Sequence, residues 1–247
     1  VQSIPEIGVL VVKPKVSNFK GQVRKLAAVG SVVTDIKTKW LEPENVVPLT
    51  NPPSIGDDET YFGLQWGMDA IDAPEAWNSG VTGEGVRVFI LDSGIDAEHP
   101  DLAPNLNTSL STSFVPGEDY NVQPGAFFNH GSHVAGIIAA ADGGGKVIGV
   151  APKAEIVAVK VLSEYTGSGD FSWLMQALVY AADNDADVIN MSLGAIFYRN
   201  GFYYDEFGEL QKDPTNEIQA LIVALQRAVD YAYKKGVVIV ASAGNDG

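Results

Sequence analysis

The chain has 247 residues, 46% of them hydrophobic and 19% charged, which is enough apolar material for a sizeable core and too much for compositional disorder. Lys plus Arg number 16 against 31 Asp plus Glu, a formal net charge of −15 that opposes nucleic-acid binding and docking on anionic lipid. With no Cys, disulfides, thiol catalysis and thiolate metal sites are excluded, and no apolar run approaches the roughly 20 residues that span a bilayer.

In chain order, residues 1–50 read as a small unit. Ile7-Gly8-Val9-Leu10-Val11-Val12 is a strand candidate, rich in β-branched residues. Residues 18–28 place Phe19, Val23, Leu26 and Ala27 at helical spacing, and Val32-Val33-Thr34-Asp35-Ile36 is a second strand candidate. A β-α-β piece this small is expected to pack on something larger. Residues 51–60 (Asn-Pro-Pro-Ser-Ile-Gly-Asp-Asp-Glu-Thr) form turns and carry acid, and read as a linker.

Residues 61–247 alternate strands and helices. Val86–Leu91, Ile156–Val159, Asp187–Met191 and Val237–Val240 lack polar alternation, so they are expected in a mostly parallel sheet covered on both faces. Helices are expected over 131–141, over 171–183 with Asp170 as N-cap, and over 216–235. In the last two, Leu174, Met175, Leu178 and Val179, and Ile218, Leu221, Ile222, Leu225, Val229 and Ala232, fall on one face. The fold class is α/β: a doubly wound, mostly parallel sheet with helices on both faces. Ligands in such sheets gather at the carboxyl ends of strands.

Polar, Gly-containing segments sit at those ends. Asp92-Ser93-Gly94 follows the first strand, Ser192-Leu193-Gly194 the third, and Ala243-Gly244-Asn245 the fourth. An Asp there either closes a turn or serves chemistry. An Asn in a Gly-rich turn either tolerates a left-handed backbone or offers its amide to an oxyanion. His130 and His133 open the 131–141 helix, but no Glu follows as in His-Glu-x-x-His, which argues against a metal pair. Gly83-Glu84-Gly85 precedes its strand, which argues against a dinucleotide site, because that fingerprint follows a strand.

Taken together these motifs resemble the subtilisin-like serine proteases from about Gln65-Trp66-Gly67 to Gly247. Gly85-Val86-Arg87-Val88-Phe89-Ile90-Leu91-Asp92-Ser93-Gly94-Ile95-Asp96 is similar to the family's aspartate motif. His130-Gly131-Ser132-His133-Val134-Ala135-Gly136 is similar to its histidine motif, with Ser132 where Thr is usual. Gly149-Val150-Ala151-Pro152 and Asn190-Met191-Ser192-Leu193-Gly194 also fit. The resemblance implies an endopeptidase in which Asp92 orients His130, His130 is the general base, and Asn245 is the oxyanion donor. It implies that Gly167, Ser168 and Gly169, with Ser192, Leu193 and Gly194, pair with an extended peptide or protein substrate. It makes His133 a packed structural residue and gives His99 no chemistry.

The chain also departs from that pattern. The family's nucleophile lies in a Gly-Thr-Ser-small motif, and none occurs in residues 1–247. The expectation is a fragment, inactive alone, of an active enzyme; the alternative is a non-catalytic peptide-binding relative. The start at Val1 suggests that a leader has been removed or that the N-terminus is missing. The 1–50 unit resembles part of an inhibitory propeptide, which with the family implies a secreted zymogen; the alternative is an N-terminal extension that packs on the sheet without inhibiting. The aromatic run Phe197–Phe207 is an insertion that could extend the rim of the substrate pocket. No cofactor is implied for the chemistry. Structural calcium is, with Asp101 at a common ligand position, although Lys146 in Gly143-Gly144-Gly145-Lys146-Val147 is a poor neighbour for it and leaves the metal ligands unassigned.

Overall fold

A computed structural model describes residues 1–39, 59–143 and 146–244. Most of the 51–60 linker and the Asn245 position lie outside the described residues.

Five strands form the central sheet. In chain order they are β4 (Arg87–Asp92), β5 (Thr112–Ser113), β6 (Glu155–Lys160), β8 (Val188–Met191) and β11 (Val238–Ala241). Their spatial order is β11-β8-β4-β6-β5, and every pair is parallel. The unbroken apolar runs are explained by where β4 sits. It has neighbours on both edges, and its alternate side chains enter two different cores. Phe89 and Leu91 pack with Val157, Val159, Leu174 and Leu178 on one face. Val88 and Ile90 pack with Ile156, Ala158, Val134 and Ala135 on the other. The first face is covered by α5 (Phe171–Asp183) and α6 (Thr215–Lys234), the second by α4 (His130–Ala139).

Two strand and helix expectations need correcting. β11 is an edge strand rather than a buried one, with Val238 58% and Val240 47% exposed. On α6, Ile222 turns away from the core and is 47% exposed. Two short helices, α2 (Trp66–Ala70) and α3 (Ala73–Asn78), precede the sheet.

The N-terminal unit keeps the expected strand-helix-strand order, but with an extra strand in front and with the two expected strands paired elsewhere. β1 (Gln2–Ile4) and β2 (Val9–Val11) form an antiparallel hairpin. The helix α1 covers only Phe19–Val23, and Leu26 is 57% exposed. Gly21 lies inside this single-turn helix, and a helix so short gains little unless it packs. Residues 32–36 form no strand. Pairing starts one residue later, where β3 (Lys37–Lys39) adds antiparallel to β7 (Ser168–Asp170). Ile4, Ile7 and Ile36 are buried in the same core as α5 and α6, each worth about 2 kcal/mol of apolar burial. Two ion pairs reinforce the docking: Lys20 and Arg24 each hold one carboxylate oxygen of Glu217 on α6 at 2.7 Å.

The aromatic insertion folds as a hairpin, β9 (Phe202–Tyr204) against β10 (Leu210–Lys212). Phe197 anchors its base, edge-on to Phe171 with centroids 5.5 Å apart and tilted against Tyr203 at 5.8 Å.

Candidate active site

Asp92 ends β4 with its side chain almost wholly buried. A buried carboxylate must be paired or hydrogen-bonded. Here Oδ1 accepts the Ser93 N–H at 2.7 Å, and both oxygens lie 2.9 Å from Nδ1 of His130. An ionised carboxylate only accepts, so Nδ1 carries the hydrogen and Nε2 is left as the basic atom. The imidazole belongs to the first residue of α4, at a side-chain exposure of 21%. The dyad can therefore take a proton from a hydroxyl brought to Nε2, with the imidazolium stabilised by Asp92.

The residues around the dyad explain the motif spelling. A Cβ on Gly131 would lie 2.2 Å from the Gly94 carbonyl and 3.1 Å from the Asp92 side chain, so only Gly lets α4 start this close to β4. The Gly131 N–H donates to Ser93 Oγ at 3.1 Å. Ser132 uses its hydroxyl to accept the Asp96 N–H at 2.8 Å, tying the two motifs together. His133, expected to pack, is exposed on α4. His99 accepts the Asp101 N–H at Nδ1 and closes a turn.

The two segments expected from the sequence to pair with substrate lie after β8 and within β7 (Ser168–Asp170). Ser192-Leu193-Gly194 follows β8 directly, and Ser192 Oγ accepts from the Asn190 amide at 3.0 Å. Ser242, after β11, donates its hydroxyl to the Leu193 carbonyl at 3.1 Å, so adjacent strand ends are pinned together. Gly167, Ser168 and Gly169 lead into and build β7, where a Cβ on Gly169 would fall 2.2 Å from the Val161 carbonyl. The β7 edge is occupied by the chain itself. Lys37 pairs with Asp170, Thr38 with Gly169 and Lys39 with Ser168.

Charge gathers where β3 meets β7. Asp170 sits at the N-cap of α5, but its side chain makes no capping hydrogen bond. Asp35 caps instead, accepting the Ser172 N–H at 3.4 Å, and also takes the Ser172 hydroxyl at 2.5 Å. Burial raises the pKa of Asp170 from the ordinary 3.8 to about 6, aided by the charges of Asp35 and Glu206 and opposed by that of Lys37. Burial also raises Asp35, against the lowering effect of its bonds to Ser172.

A second buried charge cluster escaped the sequence reading. Lys160 at the end of β6 is fully buried and reaches Glu164 at 2.6 Å, Glu118 at 3.1 Å and the Asp119 carbonyl at 3.0 Å. Its strand partner is Asp92. The Glu164 carbonyl accepts the Phe128 N–H at 2.9 Å, two residues before His130. The cluster therefore fixes the approach to the dyad. The signal was a Lys inside an apolar strand with a Glu four residues on.

For calcium, Asp101 is the informative residue. It is fully buried, Oδ2 accepts the Val147 N–H at 3.2 Å, and Oδ1 has no hydrogen-bond partner among the described residues. An orphaned buried carboxylate oxygen fits a hard cation. Among the described residues no three acidic or histidine side chains gather there, so carbonyl oxygens would have to supply most other ligands.

The sequence model of the Subtilase family matches residues 83–247. The chain belongs to the subtilase family. It is 35% identical to subtilisin E of Bacillus subtilis (strain 168) over 237 residues, covering 96% of this chain and 54% of that protein. It is 41% identical to a subtilisin of Bacillus pumilus over 184 residues, covering 74% of this chain and 56% of that one. Among solved structures it is similar to the epidermin leader peptide processing serine protease of Staphylococcus aureus, with a TM-score of 0.59, 29% identity, and coverage of 80% of this chain and 47% of that chain. The subtilase chain thus spans about half the length of the curated relatives it matches. In its fold, the parallel sheet carries the aspartate and histidine motifs on neighbouring elements, β4 and α4.

Proposed function

We propose that the whole protein is a serine endopeptidase in which Asp92 and His130 activate a serine supplied by chain beyond Gly247. The observation that carries this is the contact of both Asp92 oxygens with His130 Nδ1 at 2.9 Å. Nε2 takes the serine proton as the hydroxyl attacks a peptide carbonyl, and returns a proton to the leaving amine. The resulting acyl-enzyme is hydrolysed by the same base acting on water. Asn245 donates to the oxyanion, as the family resemblance implies.

In this reading β7 and Ser192-Leu193-Gly194 bind an extended peptide, and the N-terminal unit is the protein's own propeptide. Its support is the antiparallel addition of β3 to β7, which puts chain where a substrate strand would pair. The product is a secreted zymogen that is freed when the N-terminal unit leaves. Asp101 holds a structural calcium ion, which takes no part in the chemistry.

The complete protein should cleave a quenched peptide and should be silenced by a serine-directed covalent reagent, with the label mapping to one serine. Peptide binding without cleavage or labelling would replace this reading with that of a non-catalytic peptide-binding relative.

A further inference from the structure

We propose that the β9–β10 hairpin adds an acidic subsite to the substrate cleft, formed by Glu206 and Asp170, which selects Lys or Arg in the substrate residue that pairs with Asp170. The proposal rests on the reading of β7 as the substrate-pairing strand.

A cation already occupies this place. Lys37 stands opposite Asp170 in the β3–β7 ladder. Its Nζ lies 2.9 Å from Glu206 Oε2 and 5.8 Å from the centre of the Trp173 ring. Two elements therefore hold one ammonium group, the first turn of α5 through Trp173 and the hairpin through Glu206, while Asp170 of β7 stands opposite Lys37 and feels its charge. A carboxylate and an aromatic face together favour a cation over a neutral or acidic side chain. Substrate running antiparallel along β7 would bring its own side chain to the same point when β3 leaves.

The subsite is built rather than accidental. Glu206 lies in the hairpin turn, and that turn is held by its neighbour. Asp205 Oδ1 accepts the N–H groups of Phe207 and Glu209, both at 2.9 Å, and Oδ2 accepts the Gln211 amide at 2.7 Å. The hairpin base is locked onto α5 by Phe197 against Phe171. The turn therefore presents Glu206 from a fixed frame. Lys37 and Glu206 keep 34% and 26% of their side-chain exposure, so solvent screens the pair and the preference is moderate. Adding the aromatic contact, about a tenfold advantage for Lys over Ala is expected.

The test uses the complete protein carrying His130→Ala, so that binding is read without cleavage. Fluorescent peptides copy residues 33–48, with Lys, Ala or Glu at position 37, and fluorescence anisotropy gives their affinities. The protein's own N-terminal unit competes with all three alike, so the ratios are unaffected. The Lys peptide should bind about tenfold tighter than the Ala peptide, and the Glu peptide weakest. Glu206→Gln should shrink the Lys advantage to under threefold, and Glu206→Lys should invert the Lys-to-Glu order. Asp170→Asn gives a second route to the same loss. Peptides that bind while ignoring position 37, or a Lys advantage untouched by both Glu206 variants, would overturn the subsite and leave the reading of β7 intact. If no peptide binds, the β7 reading fails and the subsite falls with it.

Discussion

The carboxylate of Asp35 accepts the N–H of Ser172 at 3.4 Å and its hydroxyl at 2.5 Å, so a residue of the N-terminal unit caps a helix that begins 136 residues further along the chain. Docking the unit thus completes the end of α5. Asp35→Ala should cost about 1 kcal/mol, seen as a fall of roughly 2–4 °C in Tm. Asp35→Asn keeps an acceptor and should recover most of the loss.

The β3–β7 junction should be pH-sensitive. Asp170 has a pKa raised from 3.8 to about 6, chiefly by burial, with Asp35 and Glu206 adding to the rise and Lys37 opposing it. A raised carboxylate binds its proton more tightly in the folded protein than in the unfolded chain. Its contribution is therefore complete below about pH 4 and is lost as pH rises through 6. Chemical denaturation across pH should show the midpoint falling over that window. Asp170→Asn should flatten the profile.

Lys160→Met should be severely destabilising. It removes the cation between Glu164 and Glu118 and leaves buried carboxylate charge without it. Breaking such a cluster from one side costs about 3–5 kcal/mol. Chemical denaturation should show the loss as a lower midpoint.

The central sheet was legible because β4 and β6 are apolar between their charged end residues and β8 is broken only by Asn190, and β4 is buried on both faces with one residue set facing each core. The aspartate and histidine motifs were legible because each follows or opens an element at one end of the sheet. The N-terminal unit was not. Val32–Ile36 has the composition of a strand, yet a strand forms only where a partner edge is free, and that edge begins opposite Lys37. The hairpin at 202–212 read as a loop because its turn, Asp205-Glu206-Phe207-Gly208, is closed by the Asp205 side chain rather than by a two-residue Asn-Gly signal. The roles of Asp35 and Glu206 depend on contacts with distant chain, which no local pattern reports.

Gly131→Ala should abolish most activity without unfolding the protein. The added Cβ meets the Gly94 carbonyl at 2.2 Å, and α4 must shift to admit it. His130 moves with the helix, and a displacement near 1 Å can cost about a hundredfold in rate. Peptide hydrolysis by the complete protein, beside its far-ultraviolet circular dichroism, separates the two effects.

Calcium should raise the Tm of the protein, and a chelator should lower it. Asp101→Ala should remove that response, because it deletes the buried oxygen that lacks a hydrogen-bond partner among the described residues. A thermal shift that survives in Asp101→Ala would assign the ion elsewhere.

The most direct test of the account is steady-state peptide hydrolysis by the complete protein beside its His130→Ala and Asp92→Asn variants. The dyad geometry predicts that each variant loses at least about a thousandfold in kcat with KM changed only a few-fold. A kcat within tenfold of the parent in either variant would contradict the central claim that Asp92 and His130 carry the proton chemistry.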